Sequence, residues 1–233
     1  MEITVTDLKK CFGEKTAVDI PGLTIHAGEF LGLVGNNGAG KTTFFRLLLD
    51  LLKADSGRIL LDGTDVASTE AWKHEVGVYL CEGFLIEYLT PEEFFHFVGT
   101  SFGLSHAETD ARLEAFGQLT EDILGQNIYI RNLSQGNQQK VGILSALFVR
   151  PRLLVLDEPF NFLDPHAQMV VKRLLKSYQA ETGATVLLSS HNLGHTVDIC
   201  ERIVLLESGH VIRDMDNRQG EAEQALKDYF DVA

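Results

Sequence analysis

Two rhythms of apolar residues run along the chain. Near the start, Ile3, Val5 and Leu8 stand apolar against polar Glu2, Thr4 and Thr6, and short runs follow at Leu23-Thr24-Ile25 and Arg58-Ile59-Leu60-Leu61-Asp62-Gly63. With the turn-like Gly13-Glu14-Lys15 between the first two, this pattern predicts an antiparallel sheet. Other runs carry apolar residues in succession rather than in alternation: Phe30 to Val34, Leu153 to Leu156, Val186 to Leu188 within Thr185 to Ser190, and Ile203 to Leu206. Continuous apolarity predicts strands of a parallel sheet covered on both faces. Helices of about a dozen residues, starting at Pro165 and at Asn192, are expected between the last three, giving right-handed crossovers.

From Thr90 to Arg150 the period becomes helical. Thr90-Pro91-Glu92-Glu93 is a strong helix start, with Thr as cap, Pro in the first turn and Glu placed to close a capping box. Phe94, Phe95, Phe97 and Phe102 give the helix an apolar face. Ala107 to Phe116 and Gly136 to Phe148 predict further helices, and Gln219 to Phe230 a closing one. The expectation is one α/β domain over residues 1–233. Its mostly parallel core (1–89 and 151–233) carries an antiparallel β subdomain, and a helical subdomain (90–150) is inserted into it.

Composition narrows the function classes. A length of 233 residues and 45% hydrophobic content allow a sizeable core. A formal net charge of −13 argues against a nucleic-acid partner, which wants a basic face. Cys11, Cys81 and Cys200 are odd in number and lack metal-ligand spacing, so free thiols in a reducing compartment are expected. No apolar run approaches the roughly 20 residues that span a bilayer. The N-terminus lacks the features of a signal peptide. A cytoplasmic protein is expected, with any membrane role exercised through a partner.

The chemistry centres on Gly35-Asn36-Asn37-Gly38-Ala39-Gly40-Lys41-Thr42-Thr43, between the strand at Phe30 and an apolar helix start at Phe44-Phe45. The spacing is that of a phosphate-binding loop in its strand–loop–helix setting. Successive backbone N–H groups turn onto an anion, the helix adds the positive end of its dipole, Lys41 reaches the β- and γ-phosphates, and Thr42 can ligate Mg²⁺. Asp157-Glu158 and His191 also end predicted strands, and a parallel sheet gathers ligands at that edge. Asp157 is placed to hold Mg²⁺ through water, Glu158 to orient or deprotonate an attacking water, and His191 to sense the γ-phosphate. His191 and His195 have i, i+4 spacing but no third metal ligand nearby. Phe12 is either plain core or a ring that stacks on a purine base.

With these residues in place the sequence resembles the nucleotide-binding subunits of ATP-binding cassette (ABC) transporters, over nearly its whole length. Leu133-Ser134-Gln135-Gly136-Asn137-Gln138-Gln139 looks like the family's signature motif, Leu153 to Glu158 like its Walker B strand, Asn161-Phe162-Leu163-Asp164 like the loop crossing the dimer interface, and His191 like its switch histidine. Phe12 stands where the family has its adenine-stacking aromatic. The resemblance implies a head-to-tail dimer with two ATP molecules between subunits, so that Ser134, Gly136 and Gln138 of one chain face the phosphate held by Lys41 of the other. It also implies ATP and Mg²⁺ as cofactors, and a separate transmembrane permease that holds the chain at the inner face of the membrane.

One position departs from the family. Where a glutamine is expected after Val76-Gly77-Val78-Tyr79-Leu80, this chain has Cys81, then Glu82. Glu82 is a candidate replacement ligand for Mg²⁺, whereas a thiol suits that ion poorly. The expected function is an ATPase subunit powering a permease by ATP-driven dimerisation. Export is favoured, because a lone cassette with a short tail suits simple exporters. The rivals are a soluble cassette acting on ribosomes or DNA, and a catalytically weak regulatory cassette.

Overall fold

The computed structural model describes residues 1–80, 84–220 and 222–232. The first part of the chain builds β1 (Ile3–Phe12), β2 (Lys15–Ile25), β3 (Phe30–Val34), α1 (Lys41–Leu48), β4 (Ser56–Leu61), β5 (Thr64–Asp65) and β6 (Val76–Tyr79). β2, β1, β4 and β5 pair in that order as an antiparallel sheet of four strands. Its apolar residues Ile3, Val5, Ile20 and Ile59 close over Phe44, Phe45 and Leu48 of α1, and together they form one core.

The helical segment follows: α2 (Pro91–Ser101), α3 (His106–Glu114), α4 (Gln118–Glu121) and α5 (Gln135–Leu147). α2 begins as its sequence predicts. The Thr90 hydroxyl accepts the Glu93 N–H and the Glu93 carboxylate accepts that of Thr90, leaving two fewer bare donors at the helix start. The chain continues through β7 (Leu153–Leu156), α6 (Pro165–Thr182), β8 (Thr185–Ser190), α7 (Leu193–Val197), β9 (Arg202–Glu207), β10 (His210–Asp216) and α8 (Ala222–Val232). The second sheet has the order β10-β9-β3-β8-β7-β6, parallel throughout except for the pairing of β10 with β9.

Every residue of β3, β7 and β8 is buried, as continuous apolarity requires of strands covered on both faces. One face packs on α1 and the antiparallel sheet; the other joins Phe94, Phe95, Leu144 and Phe148 of the helical segment. β6 and α5 approach so closely that both give up a side chain at the contact. A Cβ on Gly77 would lie 2.1 Å from the Ala146 carbonyl oxygen, and one on Gly142 would lie 2.0 Å from the Tyr79 ring.

Four expectations need correction. β2 is 11 residues long and not the short run ending at Ile25; paired with β1 along its length, it tolerates polar residues on its exposed face. α6 has 18 residues rather than a dozen, because its apolar stripe Ala167, Val171, Leu175, Tyr178 keeps helical spacing to the end. α7 has only 5 residues. Thr196 and Cys200 are wedged beneath Gly32 of β3, where a Cβ would meet the Thr196 methyl at 1.9 Å. The chain therefore turns into β9 at once. β10 was not foreseen: it is an edge strand, mostly exposed, and carries little apolar signal.

Candidate functional site

The loop from Gly35 to Thr43 leaves the end of β3 and enters α1. Ala39 N–H donates to the Asn36 carbonyl at 3.0 Å. Gly40 sits at φ +109°, where a Cβ would lie 2.3 Å from the Ala17 carbonyl oxygen, so only glycine fits. Lys41 opens α1 and is buried. Its Nζ donates to the Gly35 carbonyl at 2.6 Å and to that of Asn36 at 3.3 Å, and lies 3.5 Å from Oε1 of Glu158. The cation is thus gathered over the loop that the helix N-terminus already makes attractive to anions.

At the end of β7, Asp157 is buried and held from two sides. Thr42 Oγ1 donates to its Oδ2 at 2.7 Å, and the Ser189 hydroxyl donates to its Oδ1. The Ser189 oxygen in turn accepts the Glu158 N–H at 2.9 Å. Glu158 adopts a left-handed backbone, φ +51°, which turns its side chain away from the strand direction. Its Oε2 lies 2.8 Å from Nδ1 of His191 and accepts the His191 N–H at 3.3 Å. The structure therefore brings Lys41, Thr42, Asp157, Glu158 and His191 into one chain of polar contacts across three strand ends.

An open cleft of about 410 Å³ covers this chain of contacts, lined by Phe12, Lys15, Ala17, Asn37 to Thr43, Arg46, Leu80, Asp157 and Glu158. Phe12, at the end of β1, is 53% exposed, which sets aside its reading as plain core. Lys10 Nζ lies 5.7 Å from its ring centroid. Gly35 and Asn36 also border a smaller hollow, about 160 Å³, against β9 and Tyr229.

The Leu133–Gln138 stretch lies apart. Ser134 caps α5, its hydroxyl accepting the Asn137 N–H at 3.2 Å, while Gln138 Nε2 donates to the Leu133 carbonyl at 3.1 Å and Asn137 Nδ2 to that of Asp122 at 3.2 Å. Gln135 and Gln138 line a separate hollow of about 170 Å³ beside Tyr79, Phe84 and Phe162. None of these six residues lines the cleft over Lys41. A Cβ on Gly136 would lie 2.9 Å from the Phe162 carbonyl oxygen, so the start of α5 abuts the 161–164 loop. Asp164 caps α6, accepting the N–H groups of His166 at 2.8 Å and Ala167 at 2.9 Å. Those bonds, that from Ala167 foremost, hold its carboxyl below the usual carboxylate range.

The His195 ring packs against Phe160, their centroids 5.1 Å apart. Cys81 and Glu82 lie outside the described residues. For Mg²⁺, the donor set at Thr42 and Asp157 fits: a hydroxyl and a carboxylate, both hard oxygens, meet beside the phosphate loop, and this ion keeps most of its waters. Sequence reasoning missed Ser189, and it read Gln139 only as the last residue of the signature-like stretch, without its tie to Glu158. Ser189 is a fully buried hydroxyl in an apolar strand, a signal present in the sequence. Gln139 Nε2 donates to the Glu158 carbonyl at 3.0 Å; that contact had no signal of its own, since glutamine on a helix is ordinarily solvated.

A family model described as "ABC transporter" matches residues 18–161. Among curated proteins, the chain is 33% identical over 221 residues to the sulfate/thiosulfate import ATP-binding protein CysA 1 of Chromobacterium violaceum, and 32% identical over 217 residues to the methionine import ATP-binding protein MetN of Rhizobium johnstonii. Each alignment covers 91% of this chain and 60% of the relative, so the chain spans about three-fifths of their length. It is also 34% identical over 212 residues to a spermidine/putrescine import ATP-binding protein PotA of Pseudomonas aeruginosa, covering 90% of this chain and 58% of that one. Among solved structures, a dimeric bacterial ABC transporter cassette superposes with a TM-score of 0.85 at 26% identity, covering 93% of this chain and 99% of that one. A dimeric post-hydrolysis ATP-binding cassette bound to ADP and Pi gives 0.83 at 26% identity with the same coverage. These three relatives are all named for import, which removes the support for export.

Proposed function

The chain belongs to the ABC transporter family, and from that membership we propose that it is the ATP-hydrolysing cassette of a transporter, driving a separate transmembrane permease. The observation that carries this reading is the Glu158 carboxylate, set between Lys41 at 3.5 Å and His191 at 2.8 Å at the floor of the cleft. In this reading Gly35 to Thr43 bind the phosphates and Phe12 stacks on the base. Thr42 and Asp157 would hold Mg²⁺, which when bound neutralises phosphate charge. Glu158 accepts a proton from water as the water oxygen bonds to the γ-phosphorus; the bond from that phosphorus to the bridging oxygen breaks, releasing ADP and phosphate. His191 keeps the carboxylate turned toward that water.

Leu133 to Gln138 act on the nucleotide of a second cassette, with Asp164 at the junction. Their distance from the chain's own cleft and the dimeric neighbours support this arrangement. Among the described residues no helix is long and apolar enough to cross a membrane, and the proposed place of the chain is the cytoplasmic face of its permease. The test compares purified wild type with Glu158→Gln. Wild type should release phosphate from ATP, and the variant should lose turnover by about 10²–10⁴-fold while ATP holds it as a dimer in light scattering. Full turnover in the variant would defeat the reading.

A further inference from the structure

Gln139 is 2% exposed, deeply buried for a polar side chain, and its amide is used at both ends. Its carbonyl accepts the Tyr79 hydroxyl at 2.8 Å, and its Nε2 donates to the Glu158 carbonyl at 3.0 Å. The orientation is fixed, since a backbone carbonyl can only accept. Gln139 stands near the start of α5, the helix that Ser134 caps. Tyr79 ends β6, and its ring fills the space that Gly142 of the same helix leaves open.

The peptide groups flanking Glu158 are therefore held by side chains from two other elements. Ser189 of β8 takes its N–H at 2.9 Å, and Gln139 of α5 gives to its carbonyl, which also accepts the Asn161 N–H at 3.2 Å. A left-handed glutamate is costly and persists where its surroundings over-determine it. We propose that Gln139 is a positioning residue for hydrolysis: a strut that fixes the Glu158 backbone and ties its orientation to the helix that Leu133 to Gln138 open. This rests on the reading of Glu158 as the base. Movement of the start of α5, when a second cassette's nucleotide engages it, then reaches the carboxylate through one side chain.

The test is Gln139→Met, which keeps length and removes both bonds, measured beside Tyr79→Phe and Glu158→Gln. Displacement of a reacting group by a fraction of an ångström to 1 Å costs up to about 10²-fold. The Met variant should lose kcat by about tenfold or more with KM for ATP changed less than about twofold. Tyr79→Phe loosens the amide and leaves its bond to Glu158, so its kcat should fall less, about threefold, again at constant KM. An unchanged kcat in Gln139→Met overturns the strut, as does a fall in kcat matched by a rise in KM and a drop in Tm, the mark of a merely structural role. If Gln139→Met does not fold, the decision passes to Tyr79→Phe, where unchanged kcat overturns it. Turnover persisting in Glu158→Gln would instead defeat the reading of the base itself.

Discussion

Oε2 of Glu158 lies 2.8 Å from Nδ1 of His191 and also takes the backbone N–H of that residue at 3.3 Å. A carboxylate facing Nδ1 holds the imidazole ring in one orientation, with its edge toward the base. The pair is more than a loop contact, because β7 and β8 bring its two halves together independently. His191→Ala should lower kcat by up to about 10²-fold, the cost of a base left out of position, and leave ATP affinity unchanged. Steady-state phosphate release with a fluorescent-nucleotide titration checks both parts.

Lys41 concentrates positive charge where the loop turns its N–H groups inward, and its neighbours there are two backbone carbonyls and Glu158. Lys41→Ala should abolish binding of a fluorescent ATP analogue. Retained wild-type affinity would mean that the loop does not take the phosphates.

The 2.7 Å contact between Thr42 and Asp157 gives a metal prediction with two arms. Thr42→Val removes a hydroxyl donor and Asp157→Asn removes a charge, and each should raise the Mg²⁺ concentration for half-maximal ATPase activity. The larger shift should come from Asp157→Asn, because a carboxylate holds a hard cation more strongly than a hydroxyl. A magnesium titration of the two variants decides it.

Much of this site was legible because it lies at strand ends and inside a short motif. The phosphate loop, Asp157-Glu158 and His191 each follow an apolar run whose last residue fixes where the polar groups emerge. What escaped depended on long-range packing. Gln139 looks like any polar residue near a helix start until Tyr79 and Glu158 close on it from distant segments. Likewise, α7 shortens because Thr196 and Cys200 fill the space under Gly32, which no local period encodes. The direction of transport was not legible either: it was inferred from tail length, and the relatives are named for import.

Ser134 and Gly136 do not line their own chain's cleft. Ser134→Arg should therefore leave ATP binding by the isolated chain intact, yet block both hydrolysis and the ATP-held dimer of Glu158→Gln. Loss of nucleotide binding in Ser134→Arg would contradict a role on a second cassette.

His195 supplies a pH prediction. Burial against Phe160, and then the charge of Lys172, push its imidazole below the ordinary value of 6.5, while Asp198 opposes this more weakly. The folded chain thus favours the neutral ring, and the unfolded chain takes up the proton first as the pH falls. The stability this contributes is complete above about pH 6.5 and is lost as the pH drops through the lower folded value. His195→Phe should flatten the decline of Tm between neutral and mildly acidic pH relative to wild type. Parallel curves for the two proteins would refute it.

The left-handed backbone of Glu158 has a consequence for how this protein can be improved. A non-glycine residue in that region costs roughly 1–3 kcal/mol, and glycine there would relieve the strain. A search for heat-tolerant variants that scored folding alone would be drawn to Glu158→Gly, the substitution that empties the site of its base. Persistence and turnover pull in opposite directions at this one residue, and only a screen that reads phosphate release will keep it.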